Sequence, residues 1–208
     1  MQIIHVDNED YLEVKNYTPE NPDAFRAFWR ELNEKYPYCK TCDFVFNNLT
    51  APEELLNEIG AEKMDSCLEM RIEPEDFRCT APLDNISLVT PETSDSFAGL
   101  HDRTNPDMYW TSGRIIADLS RWRIFRRDGA YLLLSFNTDT EVYALEAEDI
   151  QTKAALLSVA ARYAFNAGKD GVLWMVDDGK PDEIELAYRL GFKQTGTSAS
   201  YRYIRKDR

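Results

Sequence analysis

The sequence predicts an α/β protein with a mixed, twisted sheet flanked by helices, preceded by a smaller α/β half-copy. Three observations carry this. Helical and strand-like hydrophobic periods alternate along the 208 residues. Acidic charge is concentrated in the first part: up to residue 85 there are 8 Lys and Arg against 19 Asp and Glu, and after it 16 against 18. Finally, laying the chain on itself at an offset of 131 places residues 11–73 on 142–204, helix on helix and strand on strand, with Gly60 on Gly191 and Arg71 on Arg202.

Taking the elements in order, residues 23–35 put Phe25, Phe28, Trp29 and Leu32 at i, i+3, i+4 and i+7, the apolar stripe of a helix. Asp43 to Phe46 reads as a short strand, Pro52 to Ile59 as a helix stopped by Gly60, and Ser66 to Ile72 as a strand. Pro74, Pro82 and an aperiodic acidic stretch place a linker at 74–85, dividing the chain into 1–80 and 86–208. Ile86 to Val89 is then a strand. Ser94 to Ser120 carries Tyr109, Ile116 and Leu119 at helical spacing and breaks near Pro106 and Gly113, which gives two short helices. Arg127-Asp128-Gly129 between β-rich runs 121–125 and 130–136 signals a hairpin. Thr140 to Leu145 is a further strand, 152–167 a helix with Leu156, Val159, Ala160 and Tyr163 on one face, and Val172 to Val176 a buried strand. Asp182 to Leu190 is a helix closed by Gly191, and Ser198 to Ile204 the last strand.

Composition excludes several classes of function. With 43% hydrophobic and 29% charged residues the chain folds into a globule and is not disordered. A net charge of -13 repels a phosphate backbone, so no nucleic-acid partner is expected. No apolar run reaches the roughly 18 residues of a membrane span, and the N-terminus does not read as an export signal, which points to the cytoplasm. Cys39, Cys42, Cys67 and Cys79 are expected as reduced thiols: one Cys-x-x-Cys doublet followed by two cysteines 12 apart is not a zinc pattern, and no metal is expected. His5 and His101 are the only histidines, and neither has a nucleophile motif beside it. The run Arg121, Arg123, Arg126 and Arg127 offers a surface for an anion or a solvated strand face.

The segment Gly171-Val172-Leu173-Trp174-Met175-Val176-Asp177-Asp178, a helix, the run Leu190-Gly191-Phe192-Lys193-Gln194-Thr195-Gly196 and a final strand resemble the closing third of a GNAT N-acetyltransferase. The resemblance covers residues 86–208 and treats the first part as a partial repeat of the same fold. It implies transfer of an acetyl group from acetyl-CoA, as co-substrate, to a small-molecule or peptide amine, with Glu141 to Glu146, Ala147 to Ile150 and the helix from Gln151 as the cofactor-binding strand, turn and helix. A helix start reached through a tight turn aims free N–H groups at one point, which suits a diphosphate.

On that resemblance the cofactor-binding residues are Leu145, Glu146, Ile150, Gln151, Thr152, Lys153, Ala154, Ala155 and Leu156. The family's stretch of Arg or Gln, two residues, Gly, one residue, Gly or Ala is here Gln151-Thr152-Lys153-Ala154-Ala155-Leu156: Gln151 agrees, both small positions differ, and Leu156 falls where a phosphate would approach closely. Lys153 offers compensating charge or is a solvated side chain. Glu141 is the expected general base, and Glu146 points to the opposite strand face by alternation. The position of the family's frequent tyrosine acid is Ala187; Tyr188 is turned from it by about 100 degrees. Those changes keep open a second expectation, a GNAT-fold binding or interaction module without catalysis.

Overall fold

A computed structural model describes residues 1–5, 10–79, 84–106, 110–137 and 140–205. Tyr109 and residues 80–83 of the expected linker lie outside the described residues. Two compact units are formed, one from Met1–Leu68, Asp177–Gly179 and Gly196–Arg208, the other from Glu69–Val176 and Lys180–Thr195. Their limits differ from the contiguous segments 1–80 and 86–208. The chain passes between the units four times, after Leu68, Val176, Gly179 and Thr195.

In the first unit, β1 (Gln2–His5) and β2 (Tyr11–Lys15) form an antiparallel pair at one edge. The sequence does not single these strands out, because only Leu12 and Val14 of β2 are buried and both strands are short. Helix α1 (Pro22–Lys35) carries the chain over to β3 (Thr41–Asn47), which runs parallel to β2 from Tyr11↔Thr41 to Lys15↔Val45. The helix starts where Asn21 accepts a hydrogen bond from the Ala24 N–H at 2.9 Å and Pro22 supplies a preset φ.

Helix α2 (Glu53–Glu58) and the first part of β4 (Glu62–Ile72) follow, and the end of β10 (Lys193–Ile204) pairs antiparallel with β3 from Thr41↔Ile204 to Asn47↔Ser198. Leu12, Val14, Phe25, Leu32, Phe44, Phe46, Leu56 and Tyr201 make the core. Each fully buried phenylalanine contributes about 1.5–3 kcal/mol. Cys39 and Cys42 belong to this core as free thiols, with burial pushing both up in pKa, and so are packing residues. On the opposite sheet face Arg202 grips both carboxylate oxygens of Asp43 at 2.8 and 2.7 Å, and the Tyr11 hydroxyl donates to the same group at 3.1 Å.

The second unit opens with the last residues of β4. It continues through β5 (Ser87–Leu88), α3 (Asp95–Thr104), α4 (Ser112–Ala117), β6 (Trp122–Arg127), β7 (Ala130–Phe136), β8 (Thr140–Glu146), α5 (Ile150–Asn166), β9 (Val172–Asp177) and α6 (Pro181–Leu190). Its strand order is β4-β9-β8-β7-β6-β5. From β5 to β8 the pairs are antiparallel, and α5 returns the chain so that β9 lies parallel to β8. The α/β class with a mixed sheet flanked by helices is thus observed.

The β6–β7 hairpin turns on Asp128 and Gly129, with φ of 37° and 80°, a two-residue turn that needs left-handed backbone. Strand β7 is buried from Ala130 to Ser135 because both its faces are covered. One face packs Phe97, Ile115, Trp122, Ile124, Tyr131 and Leu133 in a core shared with α3 and α4; on the other, Phe125 and Phe136 each meet Tyr163 of α5 edge-on at 5.5 Å.

His101 is fully buried in the first of these layers. Its Nε2 donates to the Trp110 carbonyl at 2.8 Å, so Nδ1 accepts from the Tyr131 hydroxyl at 2.8 Å, and Asn105 donates to that hydroxyl at 2.9 Å. This histidine holds structure. Gly191, at φ 101°, ends α6, and a Cβ there would lie 2.0 Å from the Asp76 carbonyl oxygen. Both backbone conformation and space therefore require glycine.

Candidate active site

The site is built on β8. Its ladder with β7 runs Phe136↔Thr140, Ser135↔Glu141, Leu134↔Val142 and then jumps to Leu133↔Ala144, so Tyr143 is an extra residue, a β-bulge. On its other side the parallel ladder with β9 is confined to Glu141↔Leu173 and Val142↔Trp174, although β8 runs on to Glu146 and β9 beyond Trp174. Pairing stops while both strands continue. Backbone groups after Val142 are thus released toward that side, which is what a thioester arm lying along a strand requires.

The bulge also decides where the two acids point. Alternation over five residues would put Glu141 and Glu146 on opposite faces, as the sequence suggests. The inserted Tyr143 shifts the register, so Glu141 sits opposite Ser135 and Glu146 opposite Tyr131, two residues of one β7 face. Both glutamates therefore lie on the α3 and α4 face, a correction to the expected alternation. Glu141 is half-buried, in one cross-strand row with Ser135 and Trp122. The Tyr143 phenol is raised in pKa, first by burial and then by the negative charge of Glu141, with Arg121 opposing. Burial, with the charge of Glu146 adding to it, pushes Tyr131 up to about 12.

The connection from β8 to α5 is shorter than the sequence suggests, because the helix begins at Ile150, ahead of Gln151. Asp149 is the N-cap. Its carboxylate accepts from the Thr152 N–H at 2.8 Å and from the Thr152 hydroxyl at 2.7 Å. These two bonds, joined by the Gln151 N–H, hold its carboxyl below the usual range. An anion of the chain itself thus takes the Thr152 amide, one of the helix-start groups expected to face a diphosphate. Ala154, Ala155 and Leu156 lie a turn or more inside the helix and are buried, and their N–H groups serve the helix. Leu156 faces core, so it neither obstructs nor contacts a phosphate. Lys153 is engaged by Glu183 at 2.6 Å.

Beside this helix start a cavity of about 450 Å³ is lined by Arg103, Arg127 to Ala130, Glu148, Asp149 and Thr152. Among the described residues the guanidinium groups of Arg103 and Arg127 make no hydrogen bond or ion pair, so they are the cations available to a diphosphate here. Of the expected cofactor residues, Leu145 and Glu146 lie on the released stretch of β8, and Ile150, Gln151 and Thr152 form the first turn of α5.

The arginine run does not act as one surface. Arg123 donates to the Tyr163 hydroxyl at 2.9 Å and to the Trp122 carbonyl at 2.8 Å, and it lies 4.9 Å from the Phe136 ring. Arg126 donates to the Ser96 hydroxyl. Arg121 is stacked 4.5 Å over the Trp110 ring and 5.4 Å from Trp122, with its Nε buried and, among the described residues, without a hydrogen-bond partner. On α6 Ala187 is fully buried, while Tyr188 is 49% exposed, so the helix turns that phenol outward. Tyr201 and Tyr203 are spent in the first unit, on Glu53 and against Trp29.

Sequence reasoning missed Asp149, Arg103 and the Tyr143 bulge. The first was within reach, since an aspartate just before a helical period is a cap signal. The bulge has no sequence mark. Among the described residues no group of three or more His, Cys, Asp and Glu could hold a metal ion, and no helix is long and apolar enough to cross a membrane.

No protein-family model matches the chain, and no curated protein matches it. Solved structures do. A GCN5-related N-acetyltransferase from Kribbella flavida superposes with a TM-score of 0.61 at 15% identity, over 95% of this chain and 83% of that one. The chain has the GNAT fold. A GCN5-related N-acetyltransferase from Sphaerobacter thermophilus gives a TM-score of 0.63 at 14% identity, over 96% and 75% of the two chains. A tandem GNAT protein from the clavulanic acid biosynthesis pathway gives 0.59 at 13%, over 99% and 79%.

Proposed function

We propose that this GNAT-fold chain moves an acetyl or other acyl group from coenzyme A to an amine by direct attack. The observation that carries the reading is the ladder between β8 and β9 ending after two pairs, beside a bulge and beside Glu141. The amine nitrogen bonds to the thioester carbonyl carbon, the C–S bond breaks, and Glu141 takes the amine proton directly or through a water. The departing thiolate is protonated from solvent, because neither Ala187 nor the outward Tyr188 supplies a phenol. Backbone N–H groups of Leu145 and Glu146 are the candidates for polarising the carbonyl. The same reading puts the protein in the cytoplasm, which its four free thiols suit.

The reading also treats β2 to β4 as a partial copy of β8 to β10. Supporting it, residues 41–47 and 62–72 shifted by 131 become 172–178 and 193–203, against the observed Val172–Asp177 and Lys193–Ile204. A tandem arrangement occurs in one of the structural neighbours.

A panel of amines with acetyl-CoA, monitored for free thiol, tests the activity. Glu141→Gln is expected to lower turnover by about 10²–10⁴-fold with an unchanged melting temperature. Turnover untouched by that change would remove Glu141 as the base. The second reading, a binding module without catalysis, is favoured by the Asp149 carboxylate on the helix-start amides. No melting shift with acetyl-CoA at millimolar concentration, together with no thiol release, would establish it.

A further inference from the structure

Arg121 is held in place, and among the described residues no carboxylate is bound directly to it. Its guanidinium is fixed against Trp110 and Trp122, two rings that themselves meet edge-on at 5.2 Å. Among the described residues it forms no ion pair and no side-chain hydrogen bond, in a chain where 37 acidic side chains face 24 basic ones. The acid nearest in sequence, Asp118, accepts from the Ser120 hydroxyl and the Arg121 backbone N–H, so the Arg121 charge acts on it through space and not through a direct ion pair. Among the described residues, two buried donors in adjacent positions, Arg121 Nε and Trp122 Nε1, lack an acceptor. Buried donors are rarely left so; both atoms are covered, so the outer nitrogens of the half-buried guanidinium are what a ligand can meet.

The place of this arginine gives it a role. Trp122, Ser135 and Glu141 form one row across β6, β7 and β8, so Trp122 and Glu141 are about 10 Å apart at the usual strand spacing. Trp122 meets the Tyr143 ring at 5.3 Å, and the charges of Glu141 and Arg121 both act on that phenol. A base for an amine and an unspent cation thus share one face beside the bulge. We propose that the acceptor amine also carries a carboxylate, and that Arg121 binds it while the amine is presented to Glu141; this rests on the transferase reading above. A single guanidinium presents a planar fork that matches one carboxylate. Glu141 nearby disfavours a phosphate dianion at the same place.

The test uses the full chain with acetyl-CoA and two matched series: glycine, β-alanine, 4-aminobutanoate and 6-aminohexanoate, and the alkylamines lacking their carboxylates. The amino acids of fitting length are expected to exceed their alkylamines by on the order of tenfold or more in kcat/KM. Arg121→Gln abolishes that preference through KM with kcat little changed, and Arg121→Lys restores part of it. Equal use of both series, or a preference that survives Arg121→Gln, would overturn the proposal and leave the transferase standing. If no amine releases thiol, the transferase reading fails. The carboxylate seat is then judged by titrating the same amino acids against tryptophan fluorescence. A change in the wild type that Arg121→Gln removes supports it, and no change ends it.

Discussion

Each unit contains a parallel strand pair joined by a helix, and only one pair is open. In the first unit β2 and β3 stay paired through five positions, Tyr11↔Thr41 to Lys15↔Val45, which cover all of β2. In the second, β8 and β9 stay paired through two, and a bulge at Tyr143 bends the strand where pairing stops. A complete ladder spends its backbone on the sheet. An interrupted one leaves donors and acceptors for a ligand, which is why the proposed chemistry is placed on β8 although both pairs have the same strand-helix-strand order. The helix starts differ as well: a neutral Asn21 caps α1, and a charged Asp149 caps α5.

Changes in the closed pair should therefore cost stability, and changes at the open one should alter binding. The largest effect is expected from Phe44→Ala, which empties a fully buried position of β3 and should lower stability by about 3–5 kcal/mol in urea unfolding. A loss under 1 kcal/mol would mean that the first unit is far less well packed than its burial implies. Next comes Asn21→Ala, where loss of the cap should cost about 1 kcal/mol and leave coenzyme A binding alone.

Asp149→Asn keeps a capping side chain and removes a charge, so the melting temperature should change little while calorimetric affinity for coenzyme A rises severalfold. Unchanged or weaker affinity would show that the carboxylate does not compete with the diphosphate. The pH dependence has a definite sign. A carboxyl depressed in the folded state stabilises above its unfolded pKa of about 3.9, and that contribution is lost as pH falls through the lower folded value. Thermal stability of the wild type relative to Asp149→Asn should therefore decline only below about pH 4. The smallest effect is expected for Lys153→Gln: its ammonium is already paired with the largely covered Glu183 and so is not free for a phosphate, and coenzyme A affinity should stay within about twofold.

Much of the second unit was legible in the chain because its signals are local. The helical stripe of 152–167, the Asp128-Gly129 turn and the glycine ending α6 each act over a few residues, and each was found within two or three positions. The first two strands were not legible, since β1 and β2 show too few buried residues to set a period. The unit limits were not legible either, because β10 completes its pairing with β3, more than 150 residues earlier in the chain.

The sequence by itself determined the α/β class, the order of most elements, the acidic first part and the presence of Glu141 on a strand leading into a helix. These follow from periodicity and composition, which neighbouring residues specify. Only the tertiary structure decided that Glu146 shares a face with Glu141, that Asp149 fills the helix start, and that Arg121 is fixed between two tryptophans. A bulge, a cap and a stacked cation depend on which strands pair, where pairing stops and what packs across the sheet, and those are contacts between residues distant in the chain or set by a single added residue.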